Sequence, residues 1–409
     1  MTQLVSAPSA SSSRSGGGLA LSVLLGLALC HLLNDAIQSL LPALYPLMKA
    51  ELQLSFSQIG MVGLVFQITA SVFQPAVGLV FDRHPRPWPL PLAMCALSAG
   101  IVLLAFAETY PAVLFSAFVI GIGSAIFHPE ASRGTRLAAG GRIGFGQSLF
   151  QFGGNLGSAC GPLLAAFLIV PQGHRAILFC LALSLIGFAV VVRLSSVLFA
   201  LQAENHARVR RLAASPETRR PVGLILATLT FLVCTKNVYT SSMQNYYSFH
   251  LIETFELSVS QAQLALFAFL GSVAIGTLIG GLLTDRIGTR RMINFSIIGA
   301  LPFSLALPHA GLTGTIALSV CVGLILSSAF SALVVYGQEL LPKHVGLVAG
   351  LFFGLAFGVS GLAAAGIGIL ADRIGLSPIM QLCGMLPAAG LLSLWLPDLS
   401  RRPTQTEVA

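Results

Sequence analysis

The sequence predicts an all-α integral membrane protein in which twelve transmembrane helices form two pseudo-symmetric six-helix lobes. Three observations predict it: apolar segments long enough to cross a bilayer, basic residues gathered in alternate loops, and a repeat that relates the two halves. As a helix, about 20 apolar residues cover the ~30 Å hydrocarbon core. Segments of that kind fall at 19–47, 56–81, 88–107, 111–132, 143–170, 175–199, 221–250, 259–284, 290–309, 313–340, 344–371 and 377–397, numbered spans 1 to 12. With 55% hydrophobic and 9% charged residues, no soluble globular class fits. The segments are too long and too uniformly apolar for barrel strands, and a helix satisfies its own backbone in lipid.

The charges set the orientation. Of the 22 basic residues, 18 lie in the even-numbered loops and the tails. They are Arg83 and Arg86; Arg133, Arg136 and Arg142; Arg193, Arg208, Arg210, Arg211, Arg219 and Arg220; Arg286, Arg290 and Arg291; Lys343; and Arg14, Arg401 and Arg402. The odd loops hold Lys49, Arg175 and Arg373, and Lys236 lies within span 7. Basic residues are retained on the cytoplasmic side, so both termini and the central loop are assigned to the cytoplasm. The net charge of +8 then describes a basic rim against anionic lipid, and no nucleic-acid partner is expected.

The chain divides into a Ser/Gly-rich cytoplasmic tail, 1–17, read as disordered; an N-terminal lobe, 18–200; a basic linker, 201–220, with Ser215-Pro216; a C-terminal lobe, 221–400; and a tail, 401–409. The first apolar stretch is too long for a signal h-region and lacks an A-x-A site, so it is kept as span 1. Seven cysteines fall in or beside the spans without a CxxC pair, which indicates neither a disulfide framework nor a zinc site. No cofactor or metal is expected.

The halves repeat. Asp82 and Asp285 are 203 residues apart, as are Asn34 and Asn237. Cys30 and Cys234, Gly146 and Gly350, and Gly157 and Gly361 are 204 apart. A six-helix unit duplicated in parallel is the architecture of a monomeric two-lobed transporter with its site between the lobes near the midplane.

Polar residues within spans are costly, about 2.5–3.5 kcal/mol for a mid-bilayer charge on insertion scales, and so mark function. His31, Asn34, Asp35 and Gln38 share a face of span 1, and the symmetric stretch of span 7 holds Lys236, Asn237, Tyr239, Gln244, Tyr246, Tyr247 and His250. Asp35 and Lys236 occupy corresponding depths in opposite lobes. They form a buried pair, or each serves a different ion. A carboxylate withdrawn from water makes Asp35 the candidate proton carrier, and Lys236 suits an anionic substrate. Gln147, Gln151 and Asn155 make a polar stripe on span 5, as do Gln67 and Gln74 on span 2, each serving a cavity or interhelical hydrogen bonds. At the end of span 4, His128 and Glu130 are candidates to pass protons, with a Glu130–Arg133 or Glu130–Arg136 pair as the structural alternative. Gln338-Glu339 occupies the comparable end of span 10 and is read as structural.

The loop after span 8, Gly281-Leu-Leu-Thr-Asp285-Arg286-Ile-Gly288-Thr-Arg290-Arg291, is similar to the major facilitator signature G-x-L-x-D-R-x-G-x-R-R. After span 2 the same site keeps Gly78, Asp82 and Arg83 but has Pro85 where the second glycine belongs. A third trace, Gly368-Ile-Leu-Ala-Asp372-Arg373-Ile-Gly375, follows span 11. Glycines let helices approach, and a carboxylate at a helix end can pair with arginine or with the positive end of a neighbouring helix. Asp82 and Asp285 are read as gate residues and Asp372 as a static helix-end bridge. Span 5 carries Gly153, Gly157, Gly161 and Pro162, which resembles the family's antiporter motif and favours efflux.

Further strings narrow the resemblance to the fosmidomycin resistance proteins of bacterial inner membranes, a branch of the major facilitator superfamily. They are His31-Leu-Leu-Asn34-Asp35-Ala-Ile-Gln38-Ser39, Pro87-Trp88-Pro-Leu-Pro91, Phe127-His128-Pro129-Glu130-Ala-Ser-Arg133, Gln338-Glu339-Leu-Leu-Pro342, and Gly350-Leu-Phe-Phe-Gly354 with Gly358. The resemblance implies a proton-driven exporter of fosmidomycin, a small phosphonate with a hydroxamate head. Lys236, His31, His250 and the span 7 tyrosines are candidate partners for such an anion. Transport of a natural phosphorylated or carboxylated metabolite is the alternative. An enzyme would need a nucleophile–base set or clustered metal ligands; His31 and Asp35 stand at i, i+4, but no third ligand stands at metal spacing. A sensor would carry an added cytoplasmic domain. Neither is expected.

Overall fold

The computed structural model describes residues 20–83, 86–140, 143–209, 222–340 and 345–397. The tails, most of the central linker, Pro85, Arg142 and Lys343 lie outside the described residues. All twelve spans are helical.

Span 1 comprises Leu21–Ala43 and, after a break at Leu44, Tyr45–Leu52. Pro42 and Pro46 flank the break, and each removes a backbone donor from the ladder. Span 2 is Phe56–Arg83, span 3 Pro89–Ala105 and span 4 Tyr110–Ala138. Span 5 runs Ile143–Leu164 and then widens into a π-turn, Ala165–Ile169, just past Pro162. Proline cannot complete the α-ladder behind it, and a π-turn is a common way to absorb that defect. Gly173, at φ +86°, turns the chain into span 6, whose 3₁₀ start His174–Cys180 leads to Leu181–Val209. The helix therefore takes up residues 201–209, which the sequence assigned to the linker.

In the second half, span 7 is Val222–Phe255 and span 8 Val259–Ile287, the latter opened by a reciprocal Ser258–Gln261 cap. Span 9 is Thr289–Ala306, span 10 Leu312–Ser327 followed by Ala329–Leu340, and span 11 Val345–Ile374. Span 12 begins as Leu376–Gly384 and finishes in 3₁₀ turns over Leu386–Trp395. Eleven of these are long and apolar enough to cross a membrane, and span 3 is a shorter apolar helix of 17 residues. Large apolar side chains such as Phe167, Phe179, Leu185, Leu224 and Leu282 point outward, as a lipid-facing surface requires.

Within the first lobe span 1 lies along span 5, and span 4 packs on spans 2 and 3; within the second, span 10 packs on spans 8 and 9. The lobes meet along two seams, span 2 against span 11 and span 5 against span 8. Glycines permit the closest approaches. A Cβ at Gly60 would stand 2.7 Å from the carbonyl oxygen of Ala364, and one at Gly368 would stand 2.3 Å from that of Phe56. Among the described residues, the cross-lobe hydrogen bonds lie toward the arginine-poor end or near mid-span. Asp372 joins Phe56 and Ser57, Ser260 Oγ donates to Ala166 O at 3.2 Å, and Asn155 Nδ2 donates to Thr277 Oγ1 at 3.0 Å.

Candidate functional site

Spacing on span 1 places His31 and Asp35 one turn apart, and packing brings His128 of span 4 to the same point. His31 Nε2 lies 3.3 Å from Asp35 Oδ2, and His128 Nε2 lies 3.5 Å from Asp35 Oδ1. Asn34 Nδ2 donates to Asp35 Oδ1 at 2.8 Å. The two imidazoles meet edge to face with centroids 5.1 Å apart, and His31 stacks on Phe150 of span 5 at 3.9 Å. Gly154, also on span 5, leaves room for the group. A Cβ there would stand 2.4 Å from His31 Nε2 and 2.8 Å from Asp35 Oδ2.

Backbone carbonyls fix both histidine tautomers. His31 Nδ1 lies 2.7 Å from Phe150 O, and His128 Nδ1 lies 2.9 Å from Ser124 O. A carbonyl only accepts, so each Nδ1 carries a proton and donates. Each Nε2 is left facing a carboxylate oxygen, and with neutral rings lone pairs would face lone pairs. The cluster is coherent with a proton on the carboxylate or on Nε2, or with another cation between them. Beside it the amide oxygen of Asn34 and the amide nitrogen of Gln38 are buried without a hydrogen-bond partner, so this face of span 1 has unmet capacity for a guest.

The other predicted polar residues separate into distinct places. Glu130 is not brought to the cluster. Two residues beyond His128 and so on another face of the helix, it is buried and paired with Arg133 at 2.8 Å. Gln147 turns to Ser132 within the first lobe, Asn155 bridges the lobes, and Gln151 is half-buried between them in sequence. Asp35 and Lys236 do not form the buried pair that was one of the sequence alternatives. Asp35 is taken by the histidines and Asn34, while the Lys236 ammonium lies 4.9 Å from the centre of the Phe330 ring. Lys236 is 8% exposed, and among the described residues no carboxylate stands within ion-pairing distance of it.

Tyr246, Tyr247 and His250 are some 15–21 Å farther along span 7 than Lys236, at 1.5 Å per residue. Tyr246 donates to Ala364 O at 2.6 Å and supports the seam at Gly60; His250 faces Thr254, and Tyr239 and Tyr247 are buried in the second lobe. The polar stretch read on span 7 is thus divided between a cation at mid-span and closure at the arginine-poor end. A separate crevice of about 610 Å³ lies between spans 7, 11 and 12. Its lining is mostly apolar, among it Leu226, Phe231, Leu355 and Leu386, and with only Thr230 and Thr235 as hydroxyl donors it has no charge with which to orient an anion.

Residues 27–365 match the profile of the Major Facilitator Superfamily. The fosmidomycin resistance protein of Escherichia coli (strain K12) is 46% identical over 376 residues, 92% of this chain and 93% of that one. The chain belongs to the major facilitator superfamily, in the branch of the fosmidomycin resistance proteins. A further relative, the MFS-type transporter YfnC of Bacillus subtilis (strain 168), is 38% identical over 92% of this chain and 93% of its own. Two solved transporters share the fold. One is a bacterial homologue of the human lysosomal transporter Spinster in an inward-facing, occupied conformation, with TM-score 0.72, 15% identity and coverage of 92% and 97%. The other is the nucleoside transporter NupG, with TM-score 0.68, 14% identity and coverage of 91% and 98%. The chain is a multi-pass transporter and not an enzyme.

The superfamily's signature residues are placed unevenly. The side-chain surroundings of Gly78, Asp82, Arg83 and Asp285 lie outside the described residues. Gly288 closes span 8 at φ +87°, Arg286 is exposed, and Gly281 sits half-buried near the end of the helix. Arg290 donates to Leu394 O at 2.9 Å, a tie within the second lobe. The third trace departs from the static bridge expected of it, because Asp372 reaches across to the other lobe. The small residues of span 5 have a specific partner. Cβ atoms at Gly153 and Gly157 would stand 2.3 and 2.1 Å from the carbonyl oxygens of Ala28 and Leu32, and one at Gly161 would strike Ser39. They hold span 5 against span 1, directly behind the His–Asp cluster, with Pro162 and the π-turn beyond them.

Proposed function

We propose that this transporter exports fosmidomycin, or a related small anionic compound, across the bacterial inner membrane in exchange for protons, by alternating access between its lobes. The observation that carries the reading is the His31–Asp35–His128 cluster, whose fixed tautomers call for a proton or another cation between Nε2 and the carboxylate. A proton shared between Asp35 and an imidazole meets that requirement and can be released when the surroundings change. Asp35 and His128 are then the proton-coupling residues, and Glu130 has a structural role. Inward proton movement supplies about 2.3 kcal/mol per charge per 100 mV, which biases the cycle outward.

Lys236 is the proposed anchor for the anion. Its charge rests on Phe330 with no carboxylate among the described residues to neutralise it, so a phosphonate would find a desolvated cation on the lobe opposite Asp35. A natural phosphorylated or carboxylated metabolite would use the same lysine, which is why it stands as the second reading. In this reading the arginine-rich end and both termini face the cytoplasm, and the chain acts as a monomer. Closure at the arginine-poor end supports an inward-facing arrangement ready to load from inside. The test is resistance and uptake in cells lacking endogenous efflux. Expression of the wild type lowers fosmidomycin accumulation and a protonophore abolishes the effect; accumulation unchanged by well-expressed wild type removes fosmidomycin as substrate.

A further inference from the structure

We propose that His31, Asp35 and His128 also form a binding site for a divalent transition-metal ion of the zinc class. The inference rests on the geometry of the cluster and does not require proton coupling. Two imidazole nitrogens and a carboxylate oxygen lie within 4.8 Å of one another. His128, from another span, supplies the third ligand that spacing along the sequence did not show.

Four features fit a metal centre. Both rings donate Nδ1–H to a backbone carbonyl, which is how metal-ligating histidines are held in one orientation with Nε2 free to bind. The Nε2–oxygen separations of 3.3 and 3.5 Å are long for a charge-assisted hydrogen bond, about 2.7–2.9 Å. Each runs to a different oxygen of Asp35 and is close to the edge of a tetrahedron with arms of about 2.0–2.1 Å, roughly 3.3 Å, so one ion shared by both rings requires the carboxylate to turn one oxygen toward both. Third, Gly154 keeps clear the position beside His31 Nε2 and Asp35 Oδ2 that a Cβ would fill. Fourth, two nitrogens and one oxygen suit zinc, cobalt or nickel, whereas magnesium and calcium prefer all-oxygen shells. Three protein ligands leave a coordination position for water or an anionic oxygen.

Cobalt(II) titrated into purified protein in detergent at neutral pH tests this. The expected result is one equivalent bound per chain, with the intense visible bands of a low-coordinate cobalt–imidazole site, bleached by added zinc. His128→Asn and Asp35→Asn each lower the affinity by about tenfold or more. Gly154→Ala, which leaves the ligands in the chain but fills the space, gives the same loss, and melting temperature verifies that each variant is folded. Only the faint spectrum of hydrated cobalt in the wild type overturns the proposal, as does equal binding by the wild type and all folded variants, which would place the metal at the cysteines or the surface. Substrate-driven proton flux, measured after the same preparation is reconstituted into proteoliposomes, separates the two readings: flux without metal binding overturns this inference alone, and metal binding without flux overturns proton coupling alone.

Discussion

Asp372 in the last turn of span 11 accepts the backbone N–H of Ser57 in the first turn of span 2, at 2.8 Å across the lobe interface. Its other oxygen accepts the N–H of Phe56 at the same distance, and the Ser57 hydroxyl donates to the same oxygen as the Ser57 N–H. One carboxylate thereby satisfies two of the orphan donors at a helix N-terminus and sits at the positive end of its dipole. Because cap and helix belong to different lobes, the bond exists only while this end is closed. Asp372→Asn is expected to weaken closure by about 0.5–1 kcal/mol, a two- to fivefold shift in the equilibrium, the modest size reflecting an exposed site. Alkylation of a cysteine placed at Gln58 should accelerate by that factor. An unchanged rate would show that the cap does not contribute to holding the lobes together.

The mid-span bridge is open to a double-mutant cycle. Asn155 and Thr277 share one hydrogen bond across the second seam. Asn155→Ala, Thr277→Val and the double variant should show a coupling of about 0.6 kcal/mol, typical of interhelical hydrogen bonds in membranes. Thermal unfolding in detergent measures it, and additive effects would mean that the bond contributes nothing in the folded protein.

Tight packing of span 5 on span 1 gives a sharper contrast. Gly157→Ala forces a Cβ against the Leu32 carbonyl, whereas a Cβ at Gly223 meets nothing within 4 Å. The first change is expected to cost about 1–3 kcal/mol, as overpacking usually does, and the second almost nothing. Equal melting temperatures for the two variants would contradict the described contact.

Glu130 and His128 are two residues apart and should behave differently. Glu130→Gln removes the buried charge opposite Arg133, so stability should fall by on the order of 1 kcal/mol while substrate-driven proton flux per folded molecule persists. His128→Asn should do the reverse, sparing the fold and losing the flux. Loss of flux in folded Glu130→Gln would restore Glu130 to the proton path.

The spans were legible because length and hydropathy act locally, and the His31–Asp35 pair because one helical turn is visible in spacing. What joins them was not. His128 meets Asp35 through packing of span 4 on span 1, and no one-dimensional pattern records which face a crossing helix presents. Gly154 was hidden in the Gly153-Gly154 pair, where one glycine serves the helix contact and its neighbour the cluster. On span 7, polarity alone merged Lys236 with Tyr246 and His250, although helical rise puts them at different depths. Asp372 was read as a static helix-end bridge because sequence suggests a local ionic partner, whereas its partners are backbone donors 316 and 315 residues away.

The central claim, that Asp35 with its histidines carries the coupling proton while Lys236 holds the anion, is tested most directly by fosmidomycin-dependent proton movement in proteoliposomes. Wild type should move protons when the antibiotic is supplied, and Asp35→Asn should bind it but move none. Lys236→Gln should retain coupling with affinity lowered about tenfold or more, as expected for loss of one charge-assisted contact. Proton movement at the wild-type rate in Asp35→Asn would contradict the account.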